Sequence, residues 1–151
     1  MRKTSMFVSA LFTVVLGIGA ALSAAETRIK GAEILKHPIG DLALRYADAL
    51  HGGGMDDAMK LASKKAQAEW KRLPASERAE SSAYLKKMIP KRTELAAGIQ
   101  AGGILLIEDD SRATLNVVTT ESTSKEPGVV QSTSSTVAIP FVLEGGQWRV
   151  N

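Results

Sequence analysis

Few side chains in this sequence could do chemistry, and their spacing narrows what that chemistry could be. There are two histidines. His37 stands before Pro38 at the start of a helical pattern, and His51 lies at a helix end, where positive charge is favoured. Neither has a second histidine at the four-residue spacing that turns two ligands toward one metal. Serine and threonine are plentiful, but no Gly-x-Ser-x-Gly elbow exists to poise one beside a base and an orienting acid. The glycine runs 52–54, 102–103 and 145–146 lack the Lys-Ser or Lys-Thr of a phosphate-binding loop. They read as a helix stop, a helix-to-strand break and a hairpin. The chain has no cysteine, which excludes thiol catalysis, cysteine-ligated zinc and iron–sulfur clusters. No catalytic set, metal or cofactor is expected.

Two other groups of residues could bind rather than react. Tyr46, Trp70, Tyr84, Phe141 and Trp148 are core residues by position, and they are also the candidates for the wall of a ligand pocket. Lys64, Lys65, Lys71, Arg72, Lys86 and Lys87 form a candidate basic surface, continued by Lys91 and Arg92. From Lys60 to Arg92 there are ten basic and three acidic residues; from Thr93 to Asn151 there are three basic and seven acidic. A cationic middle and an anionic end can steer an acidic partner. The same charges also serve as solvated helix faces. Nucleic-acid binding would need exposed aromatics among them and the matching compartment, and is not expected.

The elements that must position these residues follow a simple order. Arg2 and Lys3 precede an apolar run, Phe7 to Leu22, that ends in Ser23-Ala24-Ala25. Charge, apolar core and small-residue exit form the secretory pattern, so residues 1–25 are expected to be a cleaved signal peptide. The apolar run is short for a membrane anchor and is diluted by Ser9, Thr13, Gly17 and Gly19. The protein is therefore expected to be exported, with the periplasm as its first compartment, secretion from the cell as the alternative, and no stable membrane anchor after cleavage. Residues 26–36 read as a polar lead segment, and residues 37–151 as one domain.

Within that domain Ile39, Leu42, Tyr46 and Leu50 form one apolar stripe of a helix opened by Pro38. A second helix is expected from Met55 through Trp70 to Leu73, and a third from Ser76 that buries Ala83, Tyr84 and Met88. A short helix spans Thr93 to Gln100. The period then changes to two. Ala113, Leu115 and Val117 alternate with polar neighbours, as do Val137, Ile139 and Phe141 on the return. The Ser/Thr-rich stretch from Thr119 to Thr136 is read as two exposed strand arms meeting at Pro127-Gly128. Helices first and antiparallel strands second is an α+β arrangement.

Three pieces of the chain carry a resemblance. They are Leu42, Tyr46 and Leu50 followed by glycines and Met55-Asp56-Asp57-Ala58-Met59, then Ala101-Gly102-Gly103-Ile104 leading to Arg112-Ala113-Thr114-Leu115, and the ending from Ile139 to Val150. In this order they resemble exported bacterial proteins of the nuclear transport factor 2-like superfamily, over residues 37–151. The resemblance implies N-terminal helices packed on a curved antiparallel sheet, a cone that often encloses a pocket, and dimerisation through the sheet. Members include isomerases that set a carboxylate base opposite a tyrosine hydroxyl. Here the main strands hold no seat for such a base, and Asp41, Asp48, Glu69 and Glu94 on the helices are the alternatives. Fold alone leaves function open. The reading is an exported binding or interaction module for a small apolar ligand or an envelope protein. The rival readings are an isomerase or dehydratase using a helix carboxylate, and a binder of anionic envelope surfaces through the basic helices.

Overall fold

The computed structural model describes residues 26–151, apart from the side chains of residues 121–123 and 125. The expected signal peptide, residues 1–25, lies outside the described residues. No helix among the described residues is long and apolar enough to cross a membrane.

The architecture is α+β. Strand β1 (Thr27–Lys30) leads into helices α1 (Ala32–Lys36), α2 (Pro38–Gly52), α3 (Met55–Met59), α4 (Lys64–Arg72), α5 (Ala75–Met88) and α6 (Arg92–Gly102). Strands β2 (Ile104–Glu108), β3 (Arg112–Glu126), β4 (Val129–Glu144) and β5 (Gln147–Val150) complete the chain. The sheet is an open, uncurled antiparallel meander in the order β1-β2-β3-β4-β5. The β4–β5 connection is the two-residue Gly145-Gly146 turn, both at positive φ (56° and 78°), the backbone that matches the twist of a tight hairpin.

One face of this sheet is covered and buried. Leu105, Ala113, Leu115, Val117, Val137, Ile139 and Phe141 meet the α2 stripe of Ile39, Leu42, Ala43, Tyr46, Ala47 and Leu50. Helix α2 lies against β5, and α6 lies against β3 with Leu95 and Ile99 buried. The period-two and period-3.6 patterns thus meet as the alternation anticipated, because each element has one apolar side to hide.

Four expectations are revised. The sheet expected to curve into a cone is open and uncurled. The segment read as a polar lead, residues 26–36, is built into the fold. β1 pairs with β2 from Thr27↔Ile107 to Lys30↔Ile104, and Ile34 of α1 is fully buried between α2 and α6. The helix expected from Met55 to Leu73 is two helices. Ser63 caps α4 by accepting the Ala66 N–H at 3.1 Å. The break lets Ser63 N–H donate to the Val150 carbonyl (2.7 Å) and Val150 N–H to the Leu61 carbonyl (3.0 Å), which ties the helices to β5. Helix α5 buries none of its residues, and Tyr84 is 62% exposed. Its sequence has no apolar stripe before the last turn, so only Leu85, Met88 and the following Ile89 approach the body.

The Ser/Thr-rich arms form the long hairpin that was expected. β3 and β4 pair from Arg112↔Val142 out to Glu126↔Val129. Thr119 and Ser135 hydroxyls meet at 3.0 Å across the ladder, where short polar side chains suit an exposed pleat.

Candidate functional site

A concavity lies between the last turn of α5 and strand β4. It encloses about 290 Å³. Its walls come from four places. α2 contributes Tyr46, the α3–α4 segment Met59, Ala62 and Ala66, and α5 Tyr84, Leu85 and Met88, with Ile89 behind them. β4 contributes every residue from Thr136 to Pro140, and Val150 closes the floor beside Asn151. The cleft exists because α5 has too little apolar surface to seat itself. It is held at its ends, by Arg78 donating to the carbonyls of Trp70 (3.1 Å) and Lys71 (2.6 Å), and by His51. The His51 Nε2–H donates to the Ile89 carbonyl at 2.7 Å, pinning the end of α5 to the end of α2. His51 is therefore a structural tie.

No carboxylate, imidazole, lysine or arginine lines this cleft. The phenol of Tyr46 is its most buried polar group, and burial raises its pKa above the ordinary tyrosine value, so it is protonated at neutral pH. The four helix carboxylates lie elsewhere. Asp41 pairs with Arg45 at 2.9 Å, and Asp48 with Arg92 at 2.6 Å. Glu69 and Glu94 are exposed. Although Asp41 follows His37 by four residues, the two do not converge. The His37 Nδ1 accepts the Ile39 N–H at 3.2 Å as the cap of α2. Among the described residues no three His, Asp or Glu side chains gather at metal-binding distance.

Of the aromatics singled out for a pocket, the fold brings Tyr46 and Tyr84 to the cleft. Phe141 is 2% exposed within the core. Trp148 is half-buried against the same core. Trp70 lines a second, polar cleft of about 250 Å³ with Asp56, Met59, Lys60, Gln67, Lys71 and Arg78. There the Arg78 guanidinium lies 5.9 Å from the centre of the Trp70 ring, a cation–π contact. The wall residues that sequence reasoning missed are Met59, Leu85, Met88 and the β4 edge. Leu85 and Met88 carried a signal, since they are the only large aliphatic residues on α5, three apart on one helical face.

Lys64, Lys65, Lys71, Arg72, Lys86 and Lys87 are all exposed on the α4–α5 hairpin. None of the six belongs to the ion pairs of the described residues. Lys65 adjoins the wall residue Ala66, and Lys86 and Lys87 sit between the wall residues Leu85 and Met88. The hairpin that walls the apolar cleft on one side therefore carries these cations on its exposed surface.

The cap of α2 makes the fold sensitive to acid. Burial lowers the pKa of His37 below its usual value of 6.5, and only the neutral ring can accept the Ile39 N–H. The unfolded chain then takes up this proton first. The contribution is complete above about pH 6.5 and is lost as pH falls through the lowered folded value. His37→Asn, which caps without titrating, is expected to reduce the loss of Tm between about pH 7.5 and 5.5. An unchanged pH dependence, read by circular dichroism melts, rejects this role.

Compared with known protein families, curated proteins and solved structures, the chain matches none.

Proposed function

We propose that this protein is a non-enzymatic binding module, acting after export from the cytoplasm, whose site is the apolar cleft between α5 and β4. The observation that carries the reading is the cleft wall, about 290 Å³ of space lined mainly by aliphatic, methionine and tyrosine side chains, with Thr136 and Asn151 at its edge and no acidic, basic or imidazole side chain. Burial of an apolar group there is favoured by roughly 25 cal/mol per Å² removed from water. Methionine walls such as Met59 and Met88 adapt to varied shapes. The ionisable side chains facing this space are the phenols of Tyr46 and Tyr84, and burial that raises the Tyr46 pKa keeps it from serving as a base, which supports binding over proton transfer. The run of helices before the four main strands and the single covered face of the sheet support a relationship to nuclear transport factor 2-like folds.

The test is a neutral apolar dye, N-phenyl-1-naphthylamine, whose fluorescence rises out of water. Met88→Glu places a carboxylate on the wall and is expected to weaken dye binding at least about tenfold, because an unpaired charge resists desolvation. Its Tm should stay close to that of the parent protein, since Met88 is half-exposed. Ala97→Glu, exposed on α6 away from the cleft, should bind the dye normally. Equal binding by all three proteins rejects the cleft as the site.

A further inference from the structure

Thr136, Val137, Ala138, Ile139 and Pro140 all line the cleft. A strand that shows a cavity only one face contributes every second residue. Five in a row mean that the cavity meets the strand edge-on, along its backbone.

The hydrogen-bonding direction of that edge can be read from its neighbours. The N–H of Leu143 donates to the Ser111 carbonyl on the β3 side (2.8 Å), while the Pro140 carbonyl accepts the Asn151 N–H on the β5 side (2.9 Å). In an antiparallel ladder the N–H and C=O of one residue point the same way, and successive residues alternate. Odd-numbered residues of β4 therefore face β3, and even-numbered ones face outward. β5 covers the outward edge only from Phe141 to Glu144, and Asn151 meets Pro140. Beyond that point Ala138 and Thr136 direct their N–H and C=O groups into the lane that β5 has left. From Thr133 to Ile139 no strand pairs with this edge among the described residues. The sequence from Val129 to Leu143 contains no charged residue, so beyond Pro140 the edge lacks the charge that usually guards against strand pairing.

Resting on the binding reading above, we infer that the cleft takes an extended polypeptide segment of a partner protein, added as a strand beside β4. Its backbone would pair with Ala138 and Thr136. Apolar side chains at alternate positions would enter the cleft against Leu85, Met88 and Ile139. Acidic residues at its ends would be drawn toward the exposed cations of the α4–α5 hairpin, Lys65, Lys86 and Lys87 among them. Strand addition draws affinity from main-chain hydrogen bonds and specificity from alternate side-chain pockets, and this site supplies both. Those cations, which enter no ion pair among the described residues, favour a negative flanking charge.

The experiment uses a fluorescent octapeptide of alternating valine and threonine flanked by glutamates, with binding read by anisotropy. The expected result is saturable binding that weakens as salt rises. N-methylation of alternate peptide amides keeps the side chains but removes the strand donors, and should weaken binding at least about tenfold. Ala138→Pro removes the edge donor from the protein and should weaken binding to a similar degree. It should fold, because Ala138 turns its N–H away from β3 and Pro140 already stands on the same edge. Amide shifts confined to Thr136, Ala138 and the α5 end, seen by NMR, would support the register. Binding that ignores N-methylation and Ala138→Pro overturns strand addition. Dye binding without peptide binding overturns the peptide as occupant and leaves the apolar site standing; failure of both removes both. Peptide-competed dimerisation of the protein, seen by light scattering, also overturns the inference, since the occupant is then a second copy.

Discussion

Gly40→Ala is expected to destabilise the protein by roughly 3 kcal/mol and to lower its Tm by about 10 °C. Gly40 lies inside α2, where alanine normally adds up to ~1 kcal/mol of helix stability. Here a Cβ would collide with the carbonyl oxygen of Ile34, and it would lie 2.7 Å from the Ile34 carbonyl carbon and 3.1 Å from the Leu35 Cα. These are backbone atoms of α1, which cannot swing aside as a side-chain tip can. Relief requires α1 to lift, and with it Ile34, which is fully buried against α2 and α6. Gly52→Ala is the internal comparison. It sits in the same helix with nothing within 4 Å of the added carbon, so the propensity gain should appear alone, as a rise of up to ~1 kcal/mol. Urea and thermal melts of the two variants should move in opposite directions. Equal behaviour means that α1 does not press on α2.

The same contact shows what the sequence conceals. The stripe of Ile39, Leu42, Tyr46 and Leu50 is legible because a helix repeats its buried face, and Leu115 and Val117 are legible because a strand alternates. Ile34 has no such repeat, for α1 is a single turn and one residue makes no period. Its burial depends on the non-local approach of Gly40 and Gly103, which only the folded chain brings together. The break at Ser63 is a different case. A cap residue stood at the right place, but the apolar spacing from Met55 to Trp70 runs through it, and the deciding bonds to Val150 lie far along the chain.

The candidate site was partly legible for a related reason. Tyr46 and Tyr84 could be named as aromatics of a pocket, yet the cleft owes its existence to what α5 lacks. Helix α5 carries Ser, Glu, Arg and Lys where a packed helix would carry a stripe, so it stands off β4 and leaves the strand edge open. Residue identity gives no hint of which strand edge stays open, because every residue but proline has the same backbone groups. Only register shows that Ala138 and Thr136 face the vacant lane and that Val137 and Ile139 do not.

Core and wall residues should separate cleanly in their effects, and Phe141 and Tyr84 make the sharpest pair. Phe141→Ala is expected to cost about 3–5 kcal/mol, the usual loss for a fully buried ring that leaves a cavity behind. Phe141 pairs with Ala113 on one side and Val150 on the other. Both neighbours are small and backbone-fixed, so they cannot close the gap. The Tm should fall by about 10–20 °C. At a temperature where the variant remains folded, its affinity for the neutral dye should change little, because Phe141 does not line the cleft. Tyr84→Ala should do the reverse. Its ring is 62% exposed, so stability should move by no more than about 0.5 kcal/mol. It lines the cleft mouth, however, and its loss should weaken dye binding several-fold. Calorimetric melts and dye titrations on both variants decide the matter. A Phe141→Ala protein that keeps its Tm but loses the dye would move the site into the sheet core, and the cleft beside β4 would then be only a gap beneath a poorly seated helix.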